Sequence, residues 1–184
     1  ALDCYRRLLD VAPSLVLVFA PRHIERADAV CAAARLRGFD VLRRTRLFPS
    51  SGPRVIVLDT RGELASLYRE ATLVFVGGSL VDVGGHSPLE PAAWGKAVVF
   101  GPHMDHFAEA AELFIRQGAG VQVGSADEMA EAMTALLKDR AKLEARGKAA
   151  YQLVLENQRA VARTVALVVR ILEEHSAISN RRQS

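Results

Sequence analysis

The segment at residues 84–91 reads GGHSPLEP and has the composition of a turn that binds an anion. Its two glycines allow the backbone to turn tightly and to approach a ligand closely. Ser87 is a favoured N-cap residue, and Pro88 then occupies the first helical position, where proline is tolerated. An apolar run at 73–76 precedes the turn, so the order is strand, glycine turn, helix start. Free N–H groups at a helix start attract phosphate, although a plain capped loop has the same pattern.

Two loops upstream carry side chains that suit the same chemistry. Arg22 lies in the loop PRH at 21–23, and its guanidinium is a permanently charged fork that matches phosphate or carboxylate. The loop at 59–64 reads DTRGEL, where we expect Thr60 to cap a helix and Glu63 to close the capping box. Free backbone amides in that loop are suited to the edge of a nucleobase. A solvated arginine and a simple cap explain each loop equally well when it is taken alone.

Other polar side chains near these loops are weaker candidates. His86 can donate to an anion, and Glu90 can accept hydrogen bonds from ribose hydroxyls or merely favour a helix start. The run GPHMDHF at 101–107 contains two histidines and an aspartate. These lack the i, i+4 placement of helical metal ligands, and a third ligand is not evident. The sequence therefore predicts no metal site and no cofactor.

Short apolar runs alternate with helical patterns along the chain, which is typical of an α/β fold. The runs expected to form strands are Leu15–Ala20, Phe39–Arg43, Arg54–Leu58, Leu73–Val76, Ala97–Phe100 and Val121–Val123. The expected helices are Ile24–Arg37, Glu63–Glu70, Pro88–Trp94, Phe107–Gln117 and Asp127–Lys138, the last with a capping box from Ser125. Because most strand runs are continuously apolar, they should be buried and parallel. The sequence thus predicts a doubly wound six-stranded parallel sheet, which binds ligands beyond the C-terminal ends of its strands.

Two segments lie outside this alternation. The stretch Arg44–Pro53 contains PSSGP and is expected to be a mobile surface loop. Residues from 141 to about 174 favour a long helix with Gly147 as a possible break, and residues 175–184 form a polar tail. The helix bears an apolar stripe at helical spacing, made by Val154, Val161, Val165, Val168 and Leu172. We expect this stripe to pack on the chain's own sheet, and docking on a second domain is the alternative.

Composition limits the classes of protein that fit. Half of the 184 residues are hydrophobic, which is enough for one α/β domain with a full core. The net charge of +3 suits an anionic ligand without requiring nucleic acid. Cys4 and Cys31 match no metal or redox spacing and favour a reduced compartment. No apolar stretch reaches the ~18 residues of a membrane span. Since the first residues are already helical in pattern and lack an initiator Met, we expect one domain of a longer protein.

Five motifs occur in an order that resembles one known family. They are PRHxER at 21–26, DTxGEL at 59–64, FVGGSL at 75–80, GGHxPLEP at 84–91 and GPH at 101–103. This pattern is similar to the C-terminal half of the 3-deoxy-D-manno-oct-2-ulosonic acid (Kdo) transferases of lipopolysaccharide biosynthesis. Each motif is weak alone, but five in this order on alternating elements are specific.

The resemblance implies the C-terminal, Rossmann-like half of a GT-B glycosyltransferase, with residues 1–174 as the nucleotide-sugar domain. It implies CMP-Kdo as the donor, without cofactor or metal. The acceptor in that family is a lipid A precursor at the cytoplasmic face of the bacterial inner membrane. The acceptor site and the acidic general base belong to an N-terminal domain outside this sequence. We therefore expect no catalytic base and no transferase activity in this chain alone.

The resemblance also implies which residues hold the donor. The set is Pro21, Arg22, Arg61, Gly62, Glu63, Ser87, Pro88, Leu89 and Glu90. The first two meet the CMP phosphate, the segment 61–63 meets the nucleotide base through backbone groups, and the segment 87–90 holds phosphate and ribose. Two positions depart from the family pattern, since Ser87 stands where Asn is usual and Arg61 where an apolar residue such as Met is usual. Serine keeps the cap but lacks the amide donor, whereas a backbone contact at Arg61 is independent of its side chain.

Two other interpretations stay open at the level of the sequence. A UDP-sugar transferase or epimerase of the same two-domain build has the same sheet and the same use for Glu90, but must accommodate a diphosphate. A non-catalytic nucleotide-binding module is the second alternative. An NAD-binding domain is disfavoured because the first strand leads into PRH rather than a GxGxxG turn.

Overall fold

Six short parallel strands form the centre of the chain, for which a computed structural model describes residues 1–47, 52 and 54–181. The strands are β1 (Leu17–Phe19), β2 (Val41–Arg43), β3 (Val55–Val57), β4 (Leu73–Phe75), β5 (Ala97–Phe100) and β6 (Gly120–Gln122). Each lies on one of the apolar runs, because β-branched and aromatic side chains fit a pleated, buried surface. The prediction of six parallel strands in an α/β fold is confirmed.

Hydrogen bonds join the strands into two parallel sheets of three, with the orders β2-β3-β1 and β4-β5-β6. In the first sheet, Ile56 of β3 lies between Val18 of β1 and Leu42 of β2. In the second sheet, β5 has the central place and pairs with β4 and β6. The sequence predicts the parallel strands but not this division of the hydrogen bonds into two sets.

Helices follow the strands and cover them. The α-helices are α1 (Leu2–Leu9), α2 (Ala27–Leu36), α3 (Leu64–Leu67), α4 (Leu89–Ala92), α5 (Ala108–Arg116), α6 (Ala126–Lys138) and α7 (Arg140–Arg181). Short 3-10 turns lie at Ile24–Arg26, Arg44–Arg46, Tyr68–Glu70 and Asp105–Phe107. The predicted helices are present, with 3-10 turns at some of their ends. Of the predicted loop Arg44–Pro53, residues 48–51 and 53 lie outside the described residues.

Ser125 caps α6 as predicted, but the Glu128 side chain accepts from Gly124 rather than from the N–H of the cap. The Glu128 N–H donates to Ser125 Oγ at 3.1 Å, and the Gly124 N–H donates to the Glu128 carboxylate at 2.7 Å. Two helix-start donors are thereby satisfied, which is worth about 0.5–2 kcal/mol for the serine alone.

Three apolar clusters surround the strands. Phe100 and Phe114 are fully buried and lie at the centre of a cluster between β5, α5 and α7. Val55 and Val57 belong to a second cluster, packed under α1 and α2. Val99 belongs to a third, with residues of α1 and α6. Strand β5 therefore has a cluster on each face, since successive side chains alternate between the two faces.

The C-terminal helix α7 continues without interruption through Gly147, so the predicted break there is wrong. Gly147 lies against the backbone of Gly95, where a Cβ atom would overlap the Gly95 carbonyl oxygen. The glycine thus serves a close approach of two backbones rather than a bend. The helix extends to Arg181 and is about 63 Å long at ~1.5 Å per residue. Within the described residues, no helix has both the length and the hydrophobicity that crossing a membrane requires.

The apolar stripe of α7 has a packed part and an exposed part. Val154 packs against the cluster between β5, α5 and α7. Val165 and Val168 are 56% and 50% exposed. The prediction that the stripe packs on the chain's own sheet is therefore wrong for these two valines, because α7 extends beyond the sheet that its first turns cover. The side chains of Val161 and Leu172 lie outside the described part of the structure.

Candidate functional site

The candidate loops follow the C-terminal ends of four strands. Residues 20–23 follow β1, residues 58–63 follow β3, residues 76–88 follow β4, and residues 101–104 follow β5. The strands within each sheet are parallel, so the loops of one sheet emerge at the same edge. This is the edge at which open α/β sheets bind ligands.

The predicted glycine turn is present after β4. Gly84 and Gly85 are buried and adopt φ angles of 81° and 69°, a left-handed conformation that favours glycine. Ser87 Oγ accepts from the Leu89 N–H at 3.3 Å, but α4 begins at Leu89 with Pro88 as its N-cap, so the predicted N-cap role of Ser87 is wrong. Because α4 has four residues, its start offers individual N–H groups rather than the field of a long helix.

A buried serine ties this turn to the loop after β5. The Ser79 hydroxyl donates to the Val76 carbonyl at 2.6 Å and accepts from the Gly101 N–H at 2.7 Å. The Ser79 carbonyl accepts from the His103 N–H at 3.0 Å. A Cβ atom at Gly101 would overlap that carbonyl, so the two loops meet only because glycine is there. Sequence reasoning missed this link, since its two halves lie 22 residues apart.

Two imidazole rings lie against glycines of the β4 loop. The His106 N–H donates to the Gly84 carbonyl at 3.2 Å, and the His106 ring occupies the space that a Cβ atom of Gly84 would need. On the same loop, His86 Cδ2 lies 3.6 Å from the position of a Cβ atom at Gly77. The absence of a side chain at Gly84 is therefore required for the position of the His106 ring, whereas His86 is at ordinary contact distance from Gly77.

His86 is at the electrostatic centre of the candidate site. Partial burial is the main cause that lowers the pKa of His86, and the positive charge of Arg22 lowers this pKa further. The carboxylate of Glu90 acts in the opposite direction, and His106 acts in the same direction as Arg22. The charges of three side chains from the loops after β1, β4 and β5 thus reach one imidazole. The pKa of His86 is thus sensitive to Arg22 and Glu90, and the convergence of these loops on one ligand stays a prediction.

Tyr68 joins the site from the 3-10 turn that precedes β4. Burial raises the pKa of its phenol to about 12, and the negative charge of Glu90 adds to this rise. A phenol that stays protonated beside a carboxylate is a hydrogen-bond donor throughout the physiological pH range. Sequence reasoning missed Tyr68, because the pattern around it indicates only the end of a helix.

The loop after β3 is organised by a different set of contacts. Burial by itself raises the pKa of Asp59, but hydrogen bonds from the Thr45 N–H at 3.0 Å and the Thr45 hydroxyl at 2.7 Å lower this pKa below its ordinary value. Glu63 Oε2 lies 2.8 Å from Arg44 Nε. Among the residues that the structure describes, no hydrogen bond or ion pair joins this loop to the group around His86.

The tip of the same loop is exposed. Arg61 and Gly62 face solvent, and Gly62 has a φ angle of 82°. The prediction that Thr60 caps the following helix is wrong, because α3 begins only at Leu64 and has no side-chain cap. Thr60 Oγ1 is instead buried without a hydrogen-bond partner among the described residues. The turn at Gly62 separates the threonine from the helix start that it was expected to cap.

Arg22 is an exposed cation at the edge of the site. Its side chain makes no hydrogen bond or ion pair with any residue in the described part of the chain, and Pro21 before it is half-buried. Arg43 and Arg44, by contrast, are paired with acidic side chains. A guanidinium that the fold leaves available is suited to a carboxylate or phosphate from a ligand.

One cluster in the described part of the chain has the composition of a cation site. His103, Asp82 and Asp105 each offer one ligand atom, and these atoms lie within 4.8 Å of one another. Both aspartates are exposed, and His103 Nδ1 is 4.0 Å from Asp82 Oδ1, which is the geometry of a surface ion pair. We assign this cluster no metal, because exposed groups of this kind are common without one.

The arrangement around His86 suits a ligand with both anionic and hydroxyl groups. Arg22 is a donor for an anion, as are the N–H groups of Gly84 and His86, which have no partner among the described residues, whereas the Gly85 N–H donates to Gly78. Glu90 and Tyr68 together offer an acceptor and a donor for neighbouring hydroxyls. Such a pairing of an anion site with a hydroxyl site is what a nucleotide sugar requires.

Comparison with known proteins agrees with this chemistry. The family model of the glycosyl transferases group 1 matches residues 52–153, which include the loops after β3, β4 and β5. A 3-deoxy-D-manno-octulosonic acid transferase of Haemophilus influenzae is 36% identical over 176 residues, which cover 95% of this chain and 41% of that protein. The enzyme of the same name from Aquifex aeolicus is 33% identical, over 80% of this chain and 40% of that protein. The chain thus spans about two fifths of the length of these relatives.

A solved structure extends the similarity to the fold. The crystal structure of the C-terminal CMP-Kdo binding domain of WaaA from Acinetobacter baumannii superimposes with a TM-score of 0.76 and 28% sequence identity. The match covers 83% of this chain and 80% of that one. The chain therefore belongs to the group 1 glycosyl transferases, and within that family it is similar to the Kdo transferases.

Proposed function

We propose that this chain is the donor-binding half of a Kdo transferase and that it binds CMP-Kdo at the edge formed by the loops after β1, β3, β4 and β5. The observation that carries the proposal is the glycine turn at 84–85 together with its Ser79 link to the loop after β5, at the C-terminal ends of β4 and β5. The similarity to a CMP-Kdo binding domain and to Kdo transferases supports the choice of donor.

The phosphate of CMP is the anion that Arg22 receives. Arg22 is exposed and has no partner in the described part of the chain, so no internal ion pair has to be broken when the phosphate arrives. A hydrogen bond to a charged group contributes roughly 1.5–3 kcal/mol. Pro21 fixes the backbone before Arg22, and Ser87 adds its N–H and its hydroxyl from the β4 loop, since Pro88 has no N–H and the Leu89 N–H donates to Ser87 Oγ.

The ribose is held by Glu90, whose carboxylate accepts from the sugar hydroxyls. Tyr68 lies close enough for the Glu90 charge to raise its pKa, so its phenol can orient the carboxylate or donate to the ribose directly. The nucleobase is read by the backbone of Arg61, Gly62 and Glu63. The ion pair between Glu63 and Arg44 steadies that segment, and this leaves the backbone rather than the glutamate side chain for the base.

Transfer of the sugar makes CMP the leaving group and gives the anomeric carbon cationic character. Arg22 and the N–H groups of the glycine turn meet the phosphate, where negative charge develops in the transition state, so they act on the rate as well as on binding. No side chain of this chain is assigned as the general base. The base, the lipid A precursor as acceptor, and attachment to the cytoplasmic face of the inner membrane belong in this proposal to the remainder of the protein.

Titration calorimetry of this chain with CMP, UMP, UDP and NAD tests the proposal. We expect weak binding of CMP and weaker binding of the other three. Binding of UDP that equals or exceeds that of CMP would favour a UDP-sugar enzyme of the same build and would contradict the choice of donor. Absence of binding by all four nucleotides would contradict the site itself.

A further inference from the structure

The donor of the proposed function carries two negative groups on one carbon atom. In a nucleotide-activated 2-ulosonic acid, the anomeric carbon bears both the phosphate oxygen and the carboxylate. The two anions are therefore neighbours at a fixed short separation, and a site that holds the phosphate must also offer donors to the carboxylate beside it. A nucleotide-activated aldose lacks this second anion.

We propose that His86 and His106 bind the carboxylate of the sugar acid and thereby select a 2-ulosonic acid over an aldose as the transferred sugar. The inference rests on the proposed function, because it assumes that the phosphate occupies the place beside Arg22. It gives a role to His86 and His106, neither of which is needed to bind the nucleotide part of the donor.

The backbone positions the His106 ring before any ligand binds. The His106 N–H is bonded to the Gly84 carbonyl at 3.2 Å, and the His106 ring fills the space over the Gly84 α-carbon. His86 lies beside Gly77 on the same loop. A donor that is fixed in advance loses little conformational freedom on binding, which favours affinity.

The loops that carry the two rings are themselves joined. Ser79 is fully buried and links the β4 loop to the β5 loop through its hydroxyl and its carbonyl. A Cβ atom at Gly85 would overlap the Met104 side chain and crowd the His103 carbonyl, so the two loops are in contact along the turn. The relative position of the two loop backbones that carry His86 and His106 is therefore a property of the fold.

The charges around His86 suit a carboxylate next to a phosphate. Arg22 is the permanent cation whose charge reaches His86, and both histidines lie on the two joined loops of this edge. A neutral imidazole still donates one N–H, so His86 is a donor even though burial and Arg22 disfavour its protonation. Glu90 repels a second anion from its own side and leaves that side to the hydroxyls.

Calorimetric titration of this chain with CMP and with CMP-Kdo tests the inference. Wild type should bind CMP-Kdo more tightly than CMP. His106→Phe keeps a ring over Gly84 but has no N–H, and His86→Phe is the matching change on the other loop. Each should weaken CMP-Kdo at least about fivefold to tenfold while CMP affinity stays within about twofold of wild type. His106→Gln restores an N–H donor and should recover part of the loss.

His103→Phe is the control from the same loop as His106, since His103 pairs with Asp82 rather than with the group around His86. It should change neither affinity. Equal weakening of CMP and CMP-Kdo by the two test variants would overturn the inference while leaving the nucleotide site intact. A wild-type chain that binds CMP but gains nothing from the sugar acid would also overturn it. Failure of wild type to bind CMP would instead overturn the proposed function. A melting curve of each variant checks that it is folded.

Discussion

The two sheets of the molecule differ in how completely the helices cover them. In the β4-β5-β6 sheet, Val98, Val99 and Phe100 are fully buried, with apolar clusters on both faces. In the β2-β3-β1 sheet, the described residues form such a cluster on the face under α1 and α2. Val16 and Val18, which point to the other face of that sheet, are 43% and 40% exposed.

The loops of the two sheets contribute different kinds of residue to the candidate site. The glycine turn, His86 and His106 belong to loops of the fully covered sheet, where buried contacts through Ser79 fix their positions. Arg22 follows β1 of the less covered sheet and is exposed. The residues that need accurate placement lie on loops of the fully covered β4-β5-β6 sheet. The long Arg22 side chain can reach the site from the less covered β2-β3-β1 sheet.

The largest expected difference between the two sheets is in how much the truncation of a side chain lowers the free energy of unfolding. Phe114→Ala leaves a cavity beside β5 and should lower the free energy of unfolding by about 3–5 kcal/mol. Val18→Ala on the exposed face should lower it by less than about 1 kcal/mol. Urea unfolding followed by circular dichroism measures both. Equal losses would mean that both sheets are equally covered in solution.

A smaller effect is expected on nucleotide affinity. Arg22→Ala should weaken CMP binding by about 1.5–3 kcal/mol, because it removes an ionic hydrogen bond to the phosphate. Arg26→Ala is the matched control, since Arg26 is also exposed and lies four residues further along the same segment, in the 3-10 turn. Calorimetry with CMP compares them. If both variants bind like wild type, Arg22 does not belong to the site.

Glu90→Gln tests the proposed contact between Glu90, which follows β4 of the fully covered sheet, and the ribose. As a helix-start residue alone, Glu90 would add only ~0.3–1 kcal/mol to stability. As the ribose acceptor, its change should leave the melting temperature near that of wild type and reduce transfer from CMP-Kdo by about tenfold, or ~1.4 kcal/mol. The assay uses the intact protein that contains this chain. Near-normal transfer would reduce Glu90 to a capping role, and transfer by this chain alone would show that the acceptor site is not elsewhere.

The smallest effect concerns pH and the loop after β3. Hydrogen bonds from Thr45 lower the pKa of Asp59 in the folded state. The ionised carboxylate therefore stabilises the fold at pH values above the pKa of the unfolded chain, near 3.8. This stability is lost as the pH falls below that value and through the folded pKa. Thr45→Val should cost about 1 kcal/mol at pH 7 and less at pH 2–3. Thr72→Val, at an exposed position, is the control. A constant difference across the pH range would exclude Asp59 as the cause.

Local patterns were sufficient for most of the secondary structure. The capping box of Ser125 and Glu128 was predicted because its partners are three residues apart; the structure has the bond to Ser125 Oγ, whereas the Glu128 carboxylate accepts from Gly124, one residue before the cap. The glycine turn at 84–85 was predicted for the same reason, since two adjacent glycines determine the local backbone. Thr60 shows the limit of this reasoning, because the positive φ at Gly62 displaces the helix start that the motif would otherwise place next to it.

Contacts between distant segments could not be predicted in this way. Gly147 has the local pattern of a helix break, and only the approach of Gly95 gives it a different role. Tyr68 has no distinguishing neighbours in the sequence, and only the folded chain places it near Glu90.

The sequence by itself determined the order of strands and helices, the glycine turn, and the motifs that indicate a Kdo transferase. These depend on residues within a few positions of one another, where backbone preference and apolar periodicity decide the outcome. The tertiary structure alone decided that Ser79 joins two loops, that His106 lies over Gly84, and that Arg22 acts on His86. These depend on how strands from different parts of the chain pair and pack, because the burial that stabilises such contacts exists only once the whole fold has formed.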